Sequence, residues 1–191
     1  RFGLAGGPCT VDMPAVREYV HRKVQQIYEP TSPEALAREG IDVALGPASF
    51  ESDRTLRIAE RSAVARRYLV CTGATPATPS IPGLDRTRHF TYHNIFDVPS
   101  LPASLIIIGG GPLGMELAQA FQRLGSQVTI VAPRLMPHDD PETADVIQRV
   151  FAREGVRWLR GRAVAVRQES AGVMVTADDE TEARGDAVLV A

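Results

Sequence analysis

Lysine is almost missing from this chain. Of the 21 basic residues among 191, only Lys23 is a lysine, and the other basic residues are arginine. With so many alanines, this bias reads as genome composition rather than function. The formal net charge of −2 gives no electrostatic case for nucleic acid. Cysteine is equally sparse. Cys9 and Cys71 stand far apart, with no second pair and no nearby histidine. That excludes a zinc ligand set, a closely spaced redox pair and a disulfide framework. Each is expected as a small apolar residue, Cys9 in a turn and Cys71 at the end of a strand, and the default setting is cytoplasmic. Apolar runs are short: Leu105-Ile106-Ile107-Ile108 is interrupted at Gly109, far below the roughly 20 residues that a membrane helix requires. His21, His89, His93 and His138 form no metal spacing, and no Ser-His-Asp or Cys-His arrangement can be argued. No catalytic and no metal-ligating residue is therefore assigned.

What remains is an ordinary soluble composition, 44% hydrophobic and 23% charged. The chain opens on Arg1 rather than Met and stops inside a strand-like segment, Ala187-Val188-Leu189-Val190-Ala191. We expect a piece of a longer protein. Asp12 and Pro14 start a helix in which Val16, Val20, Val24 and Ile27 recur at helical spacing. Ser32, Pro33 and Gly40 punctuate a second, short helix. Residues 41–45, 55–58 and 68–71 are expected to form a small meander of strands. Pro76, Pro79 and Pro82 then hold an extended segment, and Pro99-Ser100-Leu101-Pro102 reads as a boundary.

Beyond residue 102 the pattern changes. Residues 105–108 form a continuous apolar run, expected of a strand buried on both faces of a parallel sheet. A glycine-rich turn follows at once. Leu113, Leu117, Ala120, Phe121 and Leu124 then share one helical face up to Gly125, and residues 128–131 form a second buried strand. Asp140 and Pro141 open another helix with Val146, Ile147 and Val150 inward. Residues 156–159, 163–166, 173–176 and 187–190 read as later strands.

The turn is Gly109-Gly110-Gly111-Pro112-Leu113-Gly114. By itself a GxGxxG string is weak, but here it lies between a buried strand and a helix, the context the dinucleotide fingerprint requires. Gly109 allows the tight turn, Gly111 lets backbone approach a pyrophosphate, and Gly114 lets helix pack on strand. Pro112 at the first helical position has no N–H to leave unpaired. The open helix N-terminus faces the phosphates.

Which nucleotide is bound is decided at the end of the second strand. A carboxylate about 20 residues on would accept from a ribose 2′-hydroxyl and signal NAD. This chain has uncharged Ala132 there and Arg134 two residues later. An arginine attracts a 2′-phosphate through a charge-assisted hydrogen bond worth roughly 1.5–3 kcal/mol, so NADPH is expected. Glu116, one turn into the helix among Leu113, Met115 and Leu117, gains about 0.3–1 kcal/mol from the helix dipole. A local partner or the nicotinamide is a further reason for it, against the plain alternative of a surface carboxylate complementing the dipole.

These residues resemble the FAD-dependent pyridine-nucleotide-disulfide oxidoreductases, especially the branch similar to mercuric reductase and dihydrolipoamide dehydrogenase. Leu69-Val70-Cys71-Thr72-Gly73-Ala74-Thr75-Pro76 is similar to the family's strand end, with Cys71 where Ala is usual. Ile81-Pro82-Gly83 follows as expected. The stretch from Ile106 to Ala118 looks like the central NAD(P) fingerprint, and Val188-Leu189-Val190-Ala191 resembles the strand before a second turn. The resemblance implies that Gly109, Gly111 and Gly114, with Pro112 and Leu113, hold the NAD(P) pyrophosphate. It implies that Glu116 lies near the nicotinamide, that Ala132 and Arg134 match the NADPH-using branch, and that Thr72 and Gly73 lie beside FAD in a half-open groove. Pro112 stands where some members place a gating tyrosine, so a simple aromatic gate is not expected.

The family's first GxGxxG and its redox cysteine pair are absent, as is its C-terminal dimerisation domain. The expected architecture is α/β: residues 1–102 are an incomplete FAD-domain portion. Residues 103–191 are a Rossmann-type NAD(P)-binding unit, with a parallel sheet and an antiparallel meander. The implied parent passes hydride from NADPH to FAD and on to a disulfide, metal ion or other small acceptor, as a homodimer. The chain alone is expected to be inactive and to hold FAD poorly. The alternatives are a flavin-dependent quinone or peroxide reductase without the cysteine pair, and a nucleotide-binding module without turnover.

Overall fold

A computed structural model describes residues 10–191, so Cys9 and its expected turn lie outside the described residues. The chain divides into two compact units. The smaller is Tyr19–Thr75; the larger joins the described residues up to Glu18 with Pro76–Ala191.

Helix α1 (Met13–Tyr28) spans the first division point. Asp12 caps it as its residue type suggests: Oδ1 accepts from the Ala15 N–H at 3.2 Å. In the smaller unit, α2 (Pro33–Arg38) is capped by Ser32, whose Oγ accepts from the Ala35 N–H at 3.2 Å. An antiparallel sheet follows, β1 (Ala48–Phe50), β2 (Thr55–Ile58) and β3 (Arg61–Val64), in that order. The meander is therefore present but built differently from expectation. Residues 41–45 and 68–71 are not strands. Apolar alternation alone does not make a strand without a partner edge, and Leu69 is left 90% exposed. Tyr68 instead pins the sheet, its hydroxyl donating to the Arg54 carbonyl at 2.9 Å and packing edge-on against Phe50. Cys71 is a free, exposed thiol and does not end a strand.

The larger unit is built around a four-stranded parallel sheet. Its strands are β4 (Ser104–Ile108), β5 (Gln127–Val131), β6 (Arg157–Leu159) and β10 (Ala187–Val190), in the order β10-β4-β5-β6. Helix α3 (Pro112–Leu124) links β4 to β5, and α4 (Pro141–Glu154) links β5 to β6. Between β6 and β10 an antiparallel meander is inserted: β7 (Ala163–Glu169), β8 (Gly172–Ala177) and β9 (Glu182–Gly185).

The apolar run of β4 explains the layering. Strand geometry sends alternate side chains to opposite faces. Leu105 and Ile107 enter a core with Met115, Leu117, Ala118 and Phe121 of α3 and Phe151 of α4. Ile106 and Ile108 enter a second core with Val166, Val173 and Val175 of the meander. The parallel sheet is thus covered by helices on one face and by the meander on the other, which is why its strands lack alternation.

Two helical faces are rotated from expectation. In α3 the buried stripe is Gly114, Met115, Leu117, Ala118 and Phe121, while Ala120 is exposed. Packing Gly114 against the strand sets that rotation. In α4 only Phe151 is buried; Ile147 and Val150 are partly buried and Val146 is 50% exposed. Asp140 occupies the N-cap position, but its side chain makes no capping bond.

The extended segment after Pro76 packs with this unit. Leu84 enters the meander-side core, Ile95 and Val98 the helix-side core, and Phe90 bridges to Leu189. Among the described residues no helix is long and apolar enough to cross a membrane.

Candidate nucleotide-binding site

Parallel strands deliver their C-terminal ends to one edge, where α/β folds place ligands. Here Ile108, Val131 and Val190 all reach that edge and line one cavity of about 590 Å³. Its walls also include Gly109, Gly110, Leu113, Ala132, Pro79, Tyr92 and Arg162.

The glycine turn sits at its rim, and its glycines differ in what a side chain would meet. Gly109 has φ +133°, and a Cβ there would lie 2.0 Å from the Ala191 carbonyl oxygen. Gly114 would press its Cβ to 2.8 Å from the Gly109 oxygen, so helix and turn meet only without a side chain. Gly111 is the opposite case: it has ordinary extended geometry, caps α3, and has nothing within 4 Å of a Cβ. Among the described residues no atom lies close enough to demand a glycine at 111, so its lack of a side chain leaves the backbone open at this helix start, where glycine is also a favoured N-cap. Pro112 opens α3 as the sequence suggests. The first N–H groups of α3 have no intrahelical acceptor, and they carry the positive end of the helix dipole.

The sequence reading gave Gly110 no role, and the structure supplies one. A Cβ at 110 would lie 2.0 Å from the Arg134 carbonyl oxygen and 2.9 Å from Ala132 Cβ. The Gly110 carbonyl accepts from the Met136 N–H at 2.7 Å. The glycine turn and the segment after β5 are therefore packed directly together. Ala132 is buried and lines the cavity, its N–H donating to the Leu159 carbonyl at 3.2 Å. The Arg134 side chain is exposed and makes no hydrogen bond or ion pair among the described residues. It lines a small adjoining cleft with Asp145 and Trp158.

Glu116 is exposed and stands on α3 just beyond the glycine turn. It borders a separate cleft between α3 and α4 with Met115, Gln119, Ile147, Val150 and Phe151. Nearby, Arg123 Nη2 donates to Glu154 Oε1 at 2.6 Å and Gln119 Nε2 to the same carboxylate at 3.2 Å. The Arg123 hydrogen bond, aided by Gln119, holds the Glu154 carboxyl below the usual carboxylate range, against a smaller desolvation effect. Thr72 and Gly73, in the smaller unit, are both exposed, and Gly73 has φ +69° with open space around it. The turn is thus not buried by protein. Sequence reasoning missed Tyr92 and Arg162 because they reach the cavity from distant segments. It missed Trp158, which lines the cleft with Arg134, although the single Trp of the chain is a readable signal.

The family model described as pyridine nucleotide-disulphide oxidoreductase matches residues 9–191. The chain belongs to this family. It is 31% identical over 199 residues to mercuric reductase of Streptomyces lividans, covering 99% of this chain and 42% of that protein. It is 35% identical over 183 residues to mercuric reductase of Serratia marcescens, covering 91% of this chain and 38% of that protein. Among solved structures it resembles the Cu(II) complex of the HOCl-induced flavoprotein disulfide reductase RclA from Escherichia coli. That match has a TM-score of 0.82 and 25% identity, and covers 95% of this chain and 42% of the other. LpdA from Mycobacterium tuberculosis superposes with a TM-score of 0.77 at 28% identity, over 96% of this chain and 43% of the other. The chain thus spans well under half the length of these relatives.

Proposed function

We propose that this chain is the NADPH-binding portion of a flavin-dependent oxidoreductase. The single observation that carries the reading is Gly111: a glycine that no contact among the described residues requires, at the open N-terminus of α3, between Gly110 and Leu113, which line the cavity at the strand ends. In this reading Gly109, Gly111, Pro112, Leu113 and Gly114 hold the pyrophosphate. Backbone N–H groups and the helix dipole supply the attraction. Ala132 leaves the end of β5 uncharged and the free Arg134 guanidinium meets the 2′-phosphate. Glu116 is assigned to the nicotinamide side, and Thr72 with Gly73 to the flavin side.

Bound reduced nicotinamide supplies a hydride, which the family passes to flavin. The residues of this chain contribute binding and orientation, and no acid, base or nucleophile is assigned among them. The names of its relatives favour a disulfide or a metal ion such as mercuric ion as the acceptor. We also assign residues 1–102 to the flavin domain and 103–191 to the nucleotide domain. This is a division of ancestry, since 76–102 packs with the latter. A cytoplasmic homodimer is the proposed state of the parent.

The test is Ala132→Asp. A carboxylate at the end of β5 repels a 2′-phosphate and accepts from a 2′-hydroxyl. The variant should shift binding from NADPH toward NADH by at least about tenfold, roughly 1.4 kcal/mol. An unchanged ratio would overturn the assignment of that strand end to the nucleotide ribose.

A further inference from the structure

We infer that Arg160, held on the face of Trp158, is a second 2′-phosphate-binding residue of the NADPH site. This rests on the nucleotide reading above and extends it to a residue that follows a different strand.

The ends of β5 and β6 lie side by side, with Val131 opposite Leu159 and the Ala132 N–H on the Leu159 carbonyl. Arg160 follows directly after β6, so it flanks the position at which the ribose is proposed to be read. Its guanidinium lies over the Trp158 indole, 4.4 Å from the ring centroid. Trp158 is itself fixed, because its Nε1–H donates to the Ala132 carbonyl at 2.8 Å. The indole thereby ties Arg160 to the same Ala132 that borders the cavity. Trp158 also lines the small cleft that holds Arg134.

Arg160 makes no ion pair among the described residues and stays exposed. Asp145 lines the cleft with Arg134, and Asp178 receives the Arg162 backbone N–H. Neither carboxylate is bonded to the Arg160 guanidinium. An exposed arginine normally loses much rotamer freedom when it grips an anion. Stacking on a fixed indole removes part of that cost in advance and leaves the planar fork free at its edge. Arg134 follows β5 and lines the small cleft, while Arg160 follows β6 and lies over Trp158, whose indole lines that same cleft. That arrangement suits a phosphate dianion on a ribose held there.

The probe is 2′,5′-ADP, which carries the 2′-phosphate, compared with 5′-AMP, which lacks it. Both are titrated into the full 191-residue chain by calorimetry. We expect the wild type to prefer 2′,5′-ADP. Arg160→Gln should weaken 2′,5′-ADP about tenfold and leave 5′-AMP unchanged. Trp158→Phe keeps an aromatic face but loses the N–H donor, and should give a smaller loss of the same selectivity. If the wild type prefers 2′,5′-ADP and Arg160→Gln preserves that preference, the role of Arg160 is refuted while the NADPH reading stands. If the wild type shows no preference, the NADPH reading fails first. Circular dichroism of each variant identifies a loss caused by unfolding, and in that case Arg160→Lys provides the comparison. Lys retains the charge without the planar stack and should recover only part of the preference; full recovery would refute the stacking role.

Discussion

Gly110 and Arg134 are locked together through backbone alone: a Cβ at 110 would sit 2.0 Å from the Arg134 carbonyl oxygen. This contact couples the glycine turn to the segment after β5, which we propose reads the ribose. Gly110→Ala should therefore move Arg134 and destabilise the fold, by at least about 1–3 kcal/mol for overpacking. Gly111→Ala meets open space among the described residues and should cost no more than about 1 kcal/mol, the loss of a favoured N-cap residue. Yet Gly111→Ala should lose nucleotide affinity. Thermal unfolding and NADPH titration of the two variants should give opposite profiles. Equal losses of stability would count against the distinct roles of the two glycines.

Arg134→Ala removes a free guanidinium without disturbing an ion pair. A lost charge-assisted hydrogen bond of about 1.5–3 kcal/mol corresponds to roughly tenfold or more in affinity. The loss should fall on NADPH and spare NADH. Fluorescence titration of both nucleotides checks this, and a uniform loss on both would point to a role in packing the turn.

The α3–α4 tie has a pH signature. The Arg123 hydrogen bond lowers the folded-state pKa of Glu154. A carboxyl depressed in the folded state adds stability above the ordinary carboxylate range. That stability is lost as pH falls through the lowered value. Glu154→Gln should thus be less stable than wild type at neutral pH, and the difference should shrink in acid. The effect should be small, because Arg123 is 61% exposed. Denaturant unfolding at several pH values measures it; a gap that widens in acid would contradict the assignment.

Ile107 is fully buried between β5, β10 and the helices. Ile107→Ala should cost about 2–5 kcal/mol. At roughly 2–4 °C per kcal/mol for a chain of this size, differential scanning should show a clear drop in Tm.

The purified chain should carry little flavin. Thr72 and Gly73 are exposed, and the side chains of Leu69 and Val70 are open to solvent. An absorbance scan should lack a stoichiometric band near about 450 nm, where flavins absorb (a general property of the cofactor). A full band would overturn this expectation.

The parallel sheet was legible because strands covered on both faces must be continuously apolar, as residues 105–108 are. The punctuation of α1 and α2 was legible because capping is local. Strands β3 and β9 were not, since Arg61–Val64 is exposed throughout and Glu182–Gly185 buries only Ala183. Pairing, not hydrophobicity, makes them strands. Residues 41–45 failed in the reverse direction, with apolar alternation but no pairing. The site was legible where one segment supplies it, in the glycine turn. It was illegible where the fold gathers Tyr92 and Arg162 from separate segments, and in the second duty of Gly110.

The central claim is a nucleotide site at the α3 N-terminus that selects for a 2′-phosphate. Its most direct test is titration of the wild-type chain with NADPH and NADH in the same buffer and salt. NADPH should bind at least about tenfold more tightly, equivalent to roughly 1.4 kcal/mol. Equal or tighter binding of NADH, or no binding of either nucleotide, would contradict it.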